Sequence, residues 1–232
     1  EEFGGAGLDP LAVSVAMEEL ARGSAAFQGC VGVHGSLACT ALARYGTPEQ
    51  KRRYLPRLAA GECIGAYSLS EPASGSDAGS LKTAAVADGD CFVVNGTKSW
   101  VSNGGIAGLY VVFVSTSPAS ARRGVRCLLV DKGLPGFSVG KREKKLGLRA
   151  SDTRELAFQD CRVPRSALLG AVNGGFKIAM SLLDGGRVGI GAQAVGIAQA
   201  AFEEATAYAK ARRQFGKPIA EFQLIQAKIA DM

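Results

Sequence analysis

The chain has 232 residues, of which 47% are apolar and 21% are charged. This composition is typical of a globular protein and excludes a disordered, collagen-like or coiled-coil chain. At this length roughly 70–75% of the unfolded surface can be buried, so the core needs neither a disulfide nor a metal. The single histidine excludes a His-rich zinc site, and we expect no bound metal.

The six cysteines are scattered along the chain without any C-x-x-C pair. This pattern favours free thiols in a reducing compartment over a disulfide framework. The apolar runs are short or interrupted, so none reaches the ~20 residues that a transmembrane helix needs. We therefore expect no membrane span.

The net charge of +6 comes from 27 basic and 21 acidic side chains, and it is densest in the run 141–145. This run is either a solvated loop or strand end, or a rim that attracts a polyanionic ligand. Nucleic-acid binding is not supported, because no basic stripe is interleaved with aromatic residues.

The first third of the chain is predicted to be helical. One helix is expected from Asp9 to Ala26, because Asp9 is a good N-cap and Pro10 suits the first helical position. One face of this helix should carry the apolar residues Leu11, Val15, Leu20 and Ala21. Two further helices are expected over Ser36–Arg44 and Thr47–Leu58, and a capping box opens the second.

The middle of the chain is predicted to form strands. Its short β-branched or aromatic runs are separated by Gly, Asp, Asn and Pro. The expected strands are Gly65–Ser70, Thr83–Ala87, Cys91–Lys98, Leu109–Ser115, Val125–Val130, Phe137–Lys141 and Arg154–Gln159. Strands that follow one another without helices between them indicate an antiparallel sandwich or barrel rather than βαβ units.

Helical periodicity returns in the last part of the chain. One very long helix is predicted from Gly174 to about Arg212, and a helix of that length belongs in a bundle. A new helix begins near Glu221 and is still running at Met232. Because the chain also lacks an initiator methionine, we expect it to be an internal piece of a longer protein.

The predicted fold class is therefore α+β. We expect a helical N-terminal domain, a central antiparallel β-sandwich or barrel domain and a C-terminal helical bundle. Their expected bounds are 1–63, 64–165 and 166–232.

The stretch Gly189–Ala194 fits G-x-G-x-x-A, a dinucleotide-binding fingerprint. That fingerprint works only between a strand and a helix N-terminus. The residues before it already follow a helical pattern, so we interpret its small residues as allowing helices to pack closely.

Three other motifs could each form part of a site or have a structural role. Ser70–Asp77 either offers N–H groups and hydroxyls to a phosphate or polar ring edge, or is a surface loop. Trp100–Gly105 either presents an indole and the Ser102 hydroxyl to a flat heterocycle, or forms a core tryptophan and a turn. Leu183–Arg187 holds two adjacent glycines inside the long helix, each costing about 1 kcal/mol there, so something should approach the backbone. Its aspartate and arginine form either an ion pair or a ligand contact.

In chain order, the sequence contains EEFGGAGL, YSLSEPASGSD, NGTKSWVSN, LDGGRVGI and ARRQFGKPI, with FQ after the last. Together these motifs resemble those of the acyl-CoA dehydrogenases, most closely the short-chain, or butyryl-CoA, branch, across essentially the whole chain. The resemblance implies bound FAD, an acyl-CoA substrate and an electron-transfer flavoprotein or similar electron acceptor. It also implies a homo-oligomer, either a tetramer or a dimer.

The resemblance implies roles for individual residues. The residues that match FAD-binding positions are Tyr67, Leu69, Ser70, Ser76, Trp100, Val101, Ser102, Arg212, Phe215 and Gln223. The last three match positions that reach the FAD of a neighbouring subunit. Trp100 would pack against the flavin ring, Ser70 would lie near its pyrimidine side, and Ser102 would bond N5, the hydride acceptor. The residues that match the substrate channel are Ser76, Asp184, Gly185, Gly186 and Arg187.

The implied reaction is α,β-dehydrogenation of a short-chain or branched short acyl-CoA to the trans-2-enoyl-CoA. A carboxylate would remove the α-proton, and the β-hydride would pass to flavin N5. Some relatives carry the catalytic Glu at the position of Gly186, which has no side chain. We therefore expect the base to be a Glu beyond Met232, rather than Glu71 or Asp184.

Two alternatives remain open at this stage. One is an acyl-CoA oxidase that passes electrons to oxygen, and the other is a non-catalytic relative that binds acyl-CoA or flavin. The resemblance also implies a cytoplasmic location in a bacterium and the mitochondrial matrix in a eukaryote.

Overall fold

The computed structural model describes the backbone of residues 1–232 and the side chains of all of them except Pro118 and Ala119. Its helices are α1 (Pro10–Gly32), α2 (Thr40–Tyr45), α3 (Pro48–Ala59), α4 (Gly175–Ala211) and α5 (Gln223–Asp231), with a π-helical segment over Val33–Cys39. Short 3₁₀ turns cover Pro118–Gly124, Arg165–Ala167 and Ile219–Glu221. The first strands are β1 (Gly65–Ser68), β2 (Ala84–Asp88), β3 (Cys91–Ser102) and β4 (Leu109–Ser115). They are followed by β5 (Val125–Asp131), β6 (Phe137–Arg142), β7 (Thr153–Pro164), β8 (Arg213–Gln214) and β9 (Lys217–Pro218). The predicted α+β class, with helices before and after a β region, is confirmed.

Strands β1 to β7 form one sheet in the order β1-β4-β2-β3-β7-β6, and β5 pairs with β4. Most neighbouring strands are antiparallel, as expected. However, β1 runs parallel to β4, with Gly65 opposite Leu109. Strand β2 also pairs with β4 in a parallel orientation. The expectation of a wholly antiparallel sheet is therefore too simple. A long connection separates β1 from β2, so β1 is not tied to its successor by a tight hairpin.

Helical segments extend further than the sequence predicts. Helix α1 is kinked at Ser24, whose backbone is not helical, and then continues through the π-helical segment into α2, so helical segments cover Pro10–Tyr45. The glycines of this run would disfavour helix formation in an isolated peptide. In the protein the run packs against α4 and β1, and this tertiary packing overrides the low helix propensity. It ends at Gly46, whose N–H donates to the carbonyl of Leu42.

The same run bears on two expectations. By length and composition it is apolar enough to cross a membrane, although one such helix is weak evidence because core helices of soluble proteins also qualify. Its predicted apolar face is wrong in part: Ala21 is buried as expected, but Leu11 and Val15 are 74% and 54% exposed. The buried stripe passes through Met17 and Ala21, which are spaced four residues apart on the side that faces α4.

Two apolar layers lie on opposite faces of the sheet, and β4 contributes to both. Leu109, Val111 and Phe113 join the layer beneath the helices, and Tyr110, Val112 and Val114 join the other layer. This alternation follows from the two-residue period of a strand. All seven residues of β4 are buried, and this central strand pairs with β1, β2 and β5.

Helix α4 meets α1 at a point where only glycine fits. A Cβ on Gly196 would collide with the carbonyl oxygen of Glu18. The glycines of the G-x-G-x-x-A stretch, Gly189 and Gly191, lie within α4, so the dinucleotide fingerprint does not form. Among the described atoms, none lies within 4 Å of a Cβ built on either of them. Within the described residues, the close helix contact is at Gly196, and the packing role of the G-x-G-x-x-A residues stays a prediction.

Candidate functional site

A cavity of about 290 Å³ lies where β1 and the end of β3 face the π-helical segment and α4. We call it the β3 cavity. Five of the residues implied for FAD line it, namely Tyr67, Leu69, Ser70, Trp100 and Ser102. Val33, Leu37 and Leu183 line it from the helical side. The fold thus brings together residues that are more than thirty positions apart in the sequence.

Trp100 has an unusual backbone conformation at the edge of this cavity. Its φ is 57°, in a region that costs a non-glycine residue about 1–2 kcal/mol. The register between β3 and β7 shifts between Lys98 and Val101, so Trp100 lies in a bulge. As a result its side chain is 63% exposed, whereas the next side chain, Val101, is buried in the apolar core. Val101 can therefore reach a ligand in the cavity only through its backbone.

The β3 cavity also has polar groups. Ser70 and Ser102 are half-buried in its wall. Within the described residues, neither hydroxyl has a protein partner, so both are available to a ligand. The backbone of Ser70 is fixed, because its carbonyl accepts a hydrogen bond of 2.9 Å from the N–H of Ser99.

Ser76 lies outside the β3 cavity, on the exposed loop between β1 and β2. Its neighbour Gly75 lines the cavity, so Ser76 is at the rim. The loop is closed on itself, because the N–H of Glu71 donates to the carbonyl of Ser74 at 2.7 Å and the Ser74 hydroxyl donates to the carbonyl of Asp77 at 2.6 Å.

A second cavity, of about 380 Å³, lies between α1, the π-helical segment and α4. We call it the helix cavity. It shares Val33, Leu37, Ser102 and Leu183 with the β3 cavity, so the two adjoin. Of the residues implied for substrate, Gly186 and Arg187 line it.

The other two residues of that motif lie elsewhere. Asp184 is exposed and pairs with Arg187 through an N–O contact of 2.5 Å, so an ion pair is present. Gly185 lines a different cavity, beside His34, and has open space around it. A Cβ on Gly186, in contrast, would lie 3.4 Å from the Leu37 side chain. A separation of 3.4 Å is an ordinary van der Waals contact, so within the described residues neither glycine of the pair shows the expected close approach to its backbone.

Two buried glutamines line the helix cavity on the side away from the β3 cavity. The Gln193 amide donates to the side-chain oxygen of Gln28 and, at 2.9 Å, to the carbonyl of Ala25. Both side chains also touch the space itself, beside Met17. The apolar helix cavity therefore ends in a hydrogen-bonded polar floor.

Arg212, Phe215 and Gln223 lie beyond the end of α4 and line neither cavity. All three are exposed, and Phe215 is 92% exposed. The Phe215 ring lies edge-on to the Phe222 ring, with 6.2 Å between the centroids. Their implied contact with the FAD of a neighbouring subunit stays a prediction.

Within the described residues, no carboxylate lines either cavity. Glu71 points into the protein, where its Oε1 lies 2.7 Å from the Nζ of Lys98. Burial alone would raise the pKa of Glu71, but Lys98 and the donors from Thr83 and Lys82 lower it below the ordinary value. Glu71 is therefore a fixed anion and cannot act as the proton acceptor.

His34 and the nearby thiols have structural roles. The Nε2 of His34 lies 3.1 Å from the carbonyl of Leu58, and its Nδ1 accepts from the N–H of Gly65 at 3.0 Å. Burial lowers the pKa of His34, although the Leu58 carbonyl opposes this. All six cysteines are free, as expected, and burial raises the pKa of Cys39 to about 11. That thiol stays protonated at neutral pH and is a poor nucleophile.

Sequence reasoning missed parts of this site. Lys98 occupies an inward position of β3, in phase with buried Val94, and a lysine at such a position could have indicated a buried partner. The pair of Gln28 and Gln193 is separated by 165 residues, so no local pattern indicates it. The π-helical segment likewise has no sequence signature that we recognised.

Three domain descriptions of one family match the chain in order. They are the acyl-CoA dehydrogenase N-terminal domain over residues 1–62, the middle domain over 66–161 and the C-terminal domain over 173–232. The chain is 48% identical over its whole length to an acyl-CoA dehydrogenase of Bacillus subtilis, and 47% identical to the mitochondrial short-chain specific acyl-CoA dehydrogenase of Homo sapiens. It spans 61% and 56% of the lengths of these two proteins.

Solved structures give the same result. The butyryl-CoA dehydrogenase of Megasphaera elsdenii matches with a TM-score of 0.95 and 42% identity, over 99% of this chain and 61% of that one. A chain from a structure described as an electron transferring flavoprotein of Acidaminococcus fermentans matches with a TM-score of 0.96 and 44% identity, over 99% and 60%. A glutaryl-CoA dehydrogenase of Mycobacterium smegmatis in complex with FADH2 matches with a TM-score of 0.92 and 39% identity, over 97% and 57%. The chain therefore belongs to the acyl-CoA dehydrogenase family.

Proposed function

We propose that the protein is an FAD-dependent dehydrogenase that converts a short-chain or branched short acyl-CoA to the trans-2-enoyl-CoA. The observation that carries this proposal is the β3 cavity, in which an outward-facing indole and two available hydroxyls open into an apolar space of about 380 Å³. Relatives named as short-chain specific acyl-CoA dehydrogenases support the substrate class.

The residues of the β3 cavity fit a flavin. A flat heterocycle needs a planar apolar surface and hydrogen-bond partners at its edge. Trp100 offers the surface, and Ser70 and Ser102 offer the partners. The strained conformation of Trp100 supports the same conclusion, because strain of this kind is concentrated at ligand sites. Ser76, at the rim, would face the phosphates of FAD and CoA.

When bound, FAD supplies a hydride acceptor that oxidises the Cα–Cβ bond of the thioester. Ser102 lines both cavities, so its hydroxyl would bond the flavin where the acyl group meets it. Leu37 and Leu183 would keep water away from that bond, and a dry pocket favours removal of the α-proton by a carboxylate. Since Glu71 and Asp184 are held in ion pairs, we propose that this carboxylate is a Glu outside residues 1–232.

The polar floor of the helix cavity supports a short acyl chain. Each CH₂ group that enters an apolar pocket gains about 0.8 kcal/mol. A longer chain would meet the amides of Gln28 and Gln193 and lose that gain. Replacing Gln193 by Ala should remove one of the two amides of the floor and raise the preference for hexanoyl-CoA over butyryl-CoA by up to about fourfold per added CH₂. Replacing Gln199, an exposed residue of the same helix, should leave the preference unchanged.

The same proposal includes partners and location. An electron-transfer flavoprotein would accept the electrons, and the solved structure described under that name supports this. A second copy of the chain, in a tetramer or dimer, would bring its FAD to the exposed Arg212, Phe215 and Gln223. The location would be the cytoplasm in a bacterium and the mitochondrial matrix in a eukaryote, as the two kinds of relative suggest.

The test is an anaerobic titration of the full-length, FAD-loaded protein with butyryl-CoA. We expect the visible flavin band to bleach as enoyl-CoA forms. An unchanged spectrum with acyl-CoAs of several lengths would refute the dehydrogenase and favour a non-catalytic binding protein. Rapid oxygen consumption and peroxide release in air would instead identify an oxidase.

A further inference from the structure

One buried ammonium group connects the two strand ends that form the β3 cavity. Lys98, on β3, has no exposed surface, and its Nζ lies 2.7 Å from Oε1 of Glu71 and 3.0 Å from the carbonyl oxygen of Leu69. Glu71 in turn accepts hydrogen bonds from the N–H groups of Lys82, at 2.5 Å, and Thr83, at 3.0 Å. The segment after β1, the start of β2 and the end of β3 thus meet at a single charge pair.

The position of this pair in the chain matters as much as its burial. Leu69 and Glu71 flank Ser70, and Lys98 lies two residues before Trp100. Lys98 is also the last residue in regular register with β7 before the bulge that turns Trp100 outward. The pair therefore touches neither cavity but holds the backbone on both sides of the residues that line one.

A purely stabilising role does not explain the choice of residues. Removing two charges from water costs several kcal/mol per ion, and buried pairs often stabilise a protein no more than apolar side chains of similar size. Burial lowers the pKa of Lys98 to about 8, although Glu71 opposes this, so the ammonium is held at a cost. What the pair supplies and apolar residues would not is a directional link between two backbone segments.

We propose that Lys98 and Glu71 are positioning residues that hold the Ser70 and Trp100 edges of the β3 cavity at the separation that a bound flavin requires. This inference rests on the proposed function, because it assumes FAD as the occupant. It assigns neither residue a contact with FAD or substrate. Binding of the flavin ring then depends on charges that lie behind the wall of the cavity.

The experiment compares full-length wild-type protein with the double variant Lys98→Met/Glu71→Gln. This variant removes both charges; its amide oxygen can still accept from Thr83, whereas the N–H of Lys82 and the carbonyl of Leu69 each lose a partner. We expect a lowered urea midpoint with the transition still cooperative, an FAD Kd raised by about tenfold or more, and a shifted flavin absorption band and midpoint potential. The matched control is Arg162→Met/Asp88→Asn, which removes an exposed pair of 2.8 Å elsewhere on the sheet and should change none of these quantities.

A second variant covers the case in which the double variant does not fold. Glu71→Asp keeps both charges but shortens one arm, and we expect a smaller rise in Kd with the same direction of band shift. If FAD affinity, band and potential equal those of the wild type in whichever variant folds, the pair is only structural and the inference is wrong. If the wild type itself fails to bind FAD, both the proposed function and this inference fall.

Discussion

The two walls of the candidate site are built differently. On the β side, Ser70 and Trp100 are held by strand hydrogen bonds, a bulge and an ion pair whose two side chains are 0% and 2% exposed. On the helical side, α1 and α4 are rich in glycine, carry exposed apolar side chains, and have an ion pair, Asp184–Arg187, that is open to solvent. An ion pair therefore holds the backbone in place on the β side but contributes little to stability on the helical side. The difference arises because one pair is buried and the other is exposed.

The largest expected effect comes from breaking the buried pair on one side only. Glu71→Gln leaves the Lys98 ammonium buried without its counter-charge, which should lower the free energy of unfolding by about 3–5 kcal/mol. The equivalent change on the helical wall, Asp184→Asn, should cost less than about 1 kcal/mol. Urea denaturation of both variants measures the contrast, and equal losses would show that burial does not separate the two walls.

The next effect tests the contact within the helical wall. Gly196→Ala places a methyl group against the carbonyl of Glu18, so α1 and α4 must separate, at a cost of about 1–3 kcal/mol. Gly191→Ala, in the same helix but with open space beside it, should stabilise the protein by up to about 1 kcal/mol. Thermal unfolding of the two variants should therefore shift in opposite directions. A loss of stability in both would mean that the close approach at Gly196 is not special.

A third prediction concerns the ligand face of the β wall. Trp100→Ala should weaken FAD binding by about tenfold, the loss of roughly 1.4 kcal/mol of contact. It should hardly change the urea midpoint, because the indole is mostly exposed. Tyr208→Ala, at an exposed aromatic of α4, is the control. The measurement is a titration that follows the fluorescence of FAD itself, because the Trp100 variant lacks the indole of that residue. An unchanged affinity for FAD in the Trp100 variant would show that Trp100 does not pack against the flavin ring.

The smallest expected effect is a pH dependence at the junction of the two walls. His34 is neutral in the folded protein, with a pKa lowered by burial, and returns to its ordinary value of 6.5 on unfolding. Above pH 6.5 the contribution of His34 to the free energy of unfolding is fully present. As the pH falls through 6.5, His34 binds a proton more readily in the unfolded chain than in the folded chain, so the free energy of unfolding falls. Because this is the chain's single histidine, His34→Gln should flatten the dependence between pH 7 and about 5.5, and an unchanged slope would assign it to other groups.

Features with a local cause could be predicted from the sequence. The long helix was expected over Gly174–Arg212 and covers Gly175–Ala211, because apolar periodicity and a final Gly-Lys-Pro break are both local signals. The capping box is confirmed, since the Thr47 hydroxyl accepts from the N–H of Gln50 at 3.2 Å while the Gln50 side chain accepts in return. Trp100 and Ser102 lie at the end of a strand, as expected, and both line the β3 cavity.

Features that depend on distant residues could not be predicted. Which side of α1 is buried is decided by α4, some 170 residues later, so Leu11 and Val15 were assigned to the wrong side. The parallel pairing of β1 with β4 depends on a connection whose path has no pattern of its own. Ser76 and Gly185, implied by resemblance alone, lie outside the two cavities that hold their neighbours.

The outward-facing Trp100 is also the chain's single tryptophan. Within residues 1–232, indole emission therefore arises at one edge of one cavity. A flavin that packs there would quench it by energy transfer, and an acyl thioester entering the adjoining space would alter it further. The strained backbone that turns this side chain outward thus makes Trp100 an intrinsic fluorophore, whose emission reports occupancy of the cavity without any label.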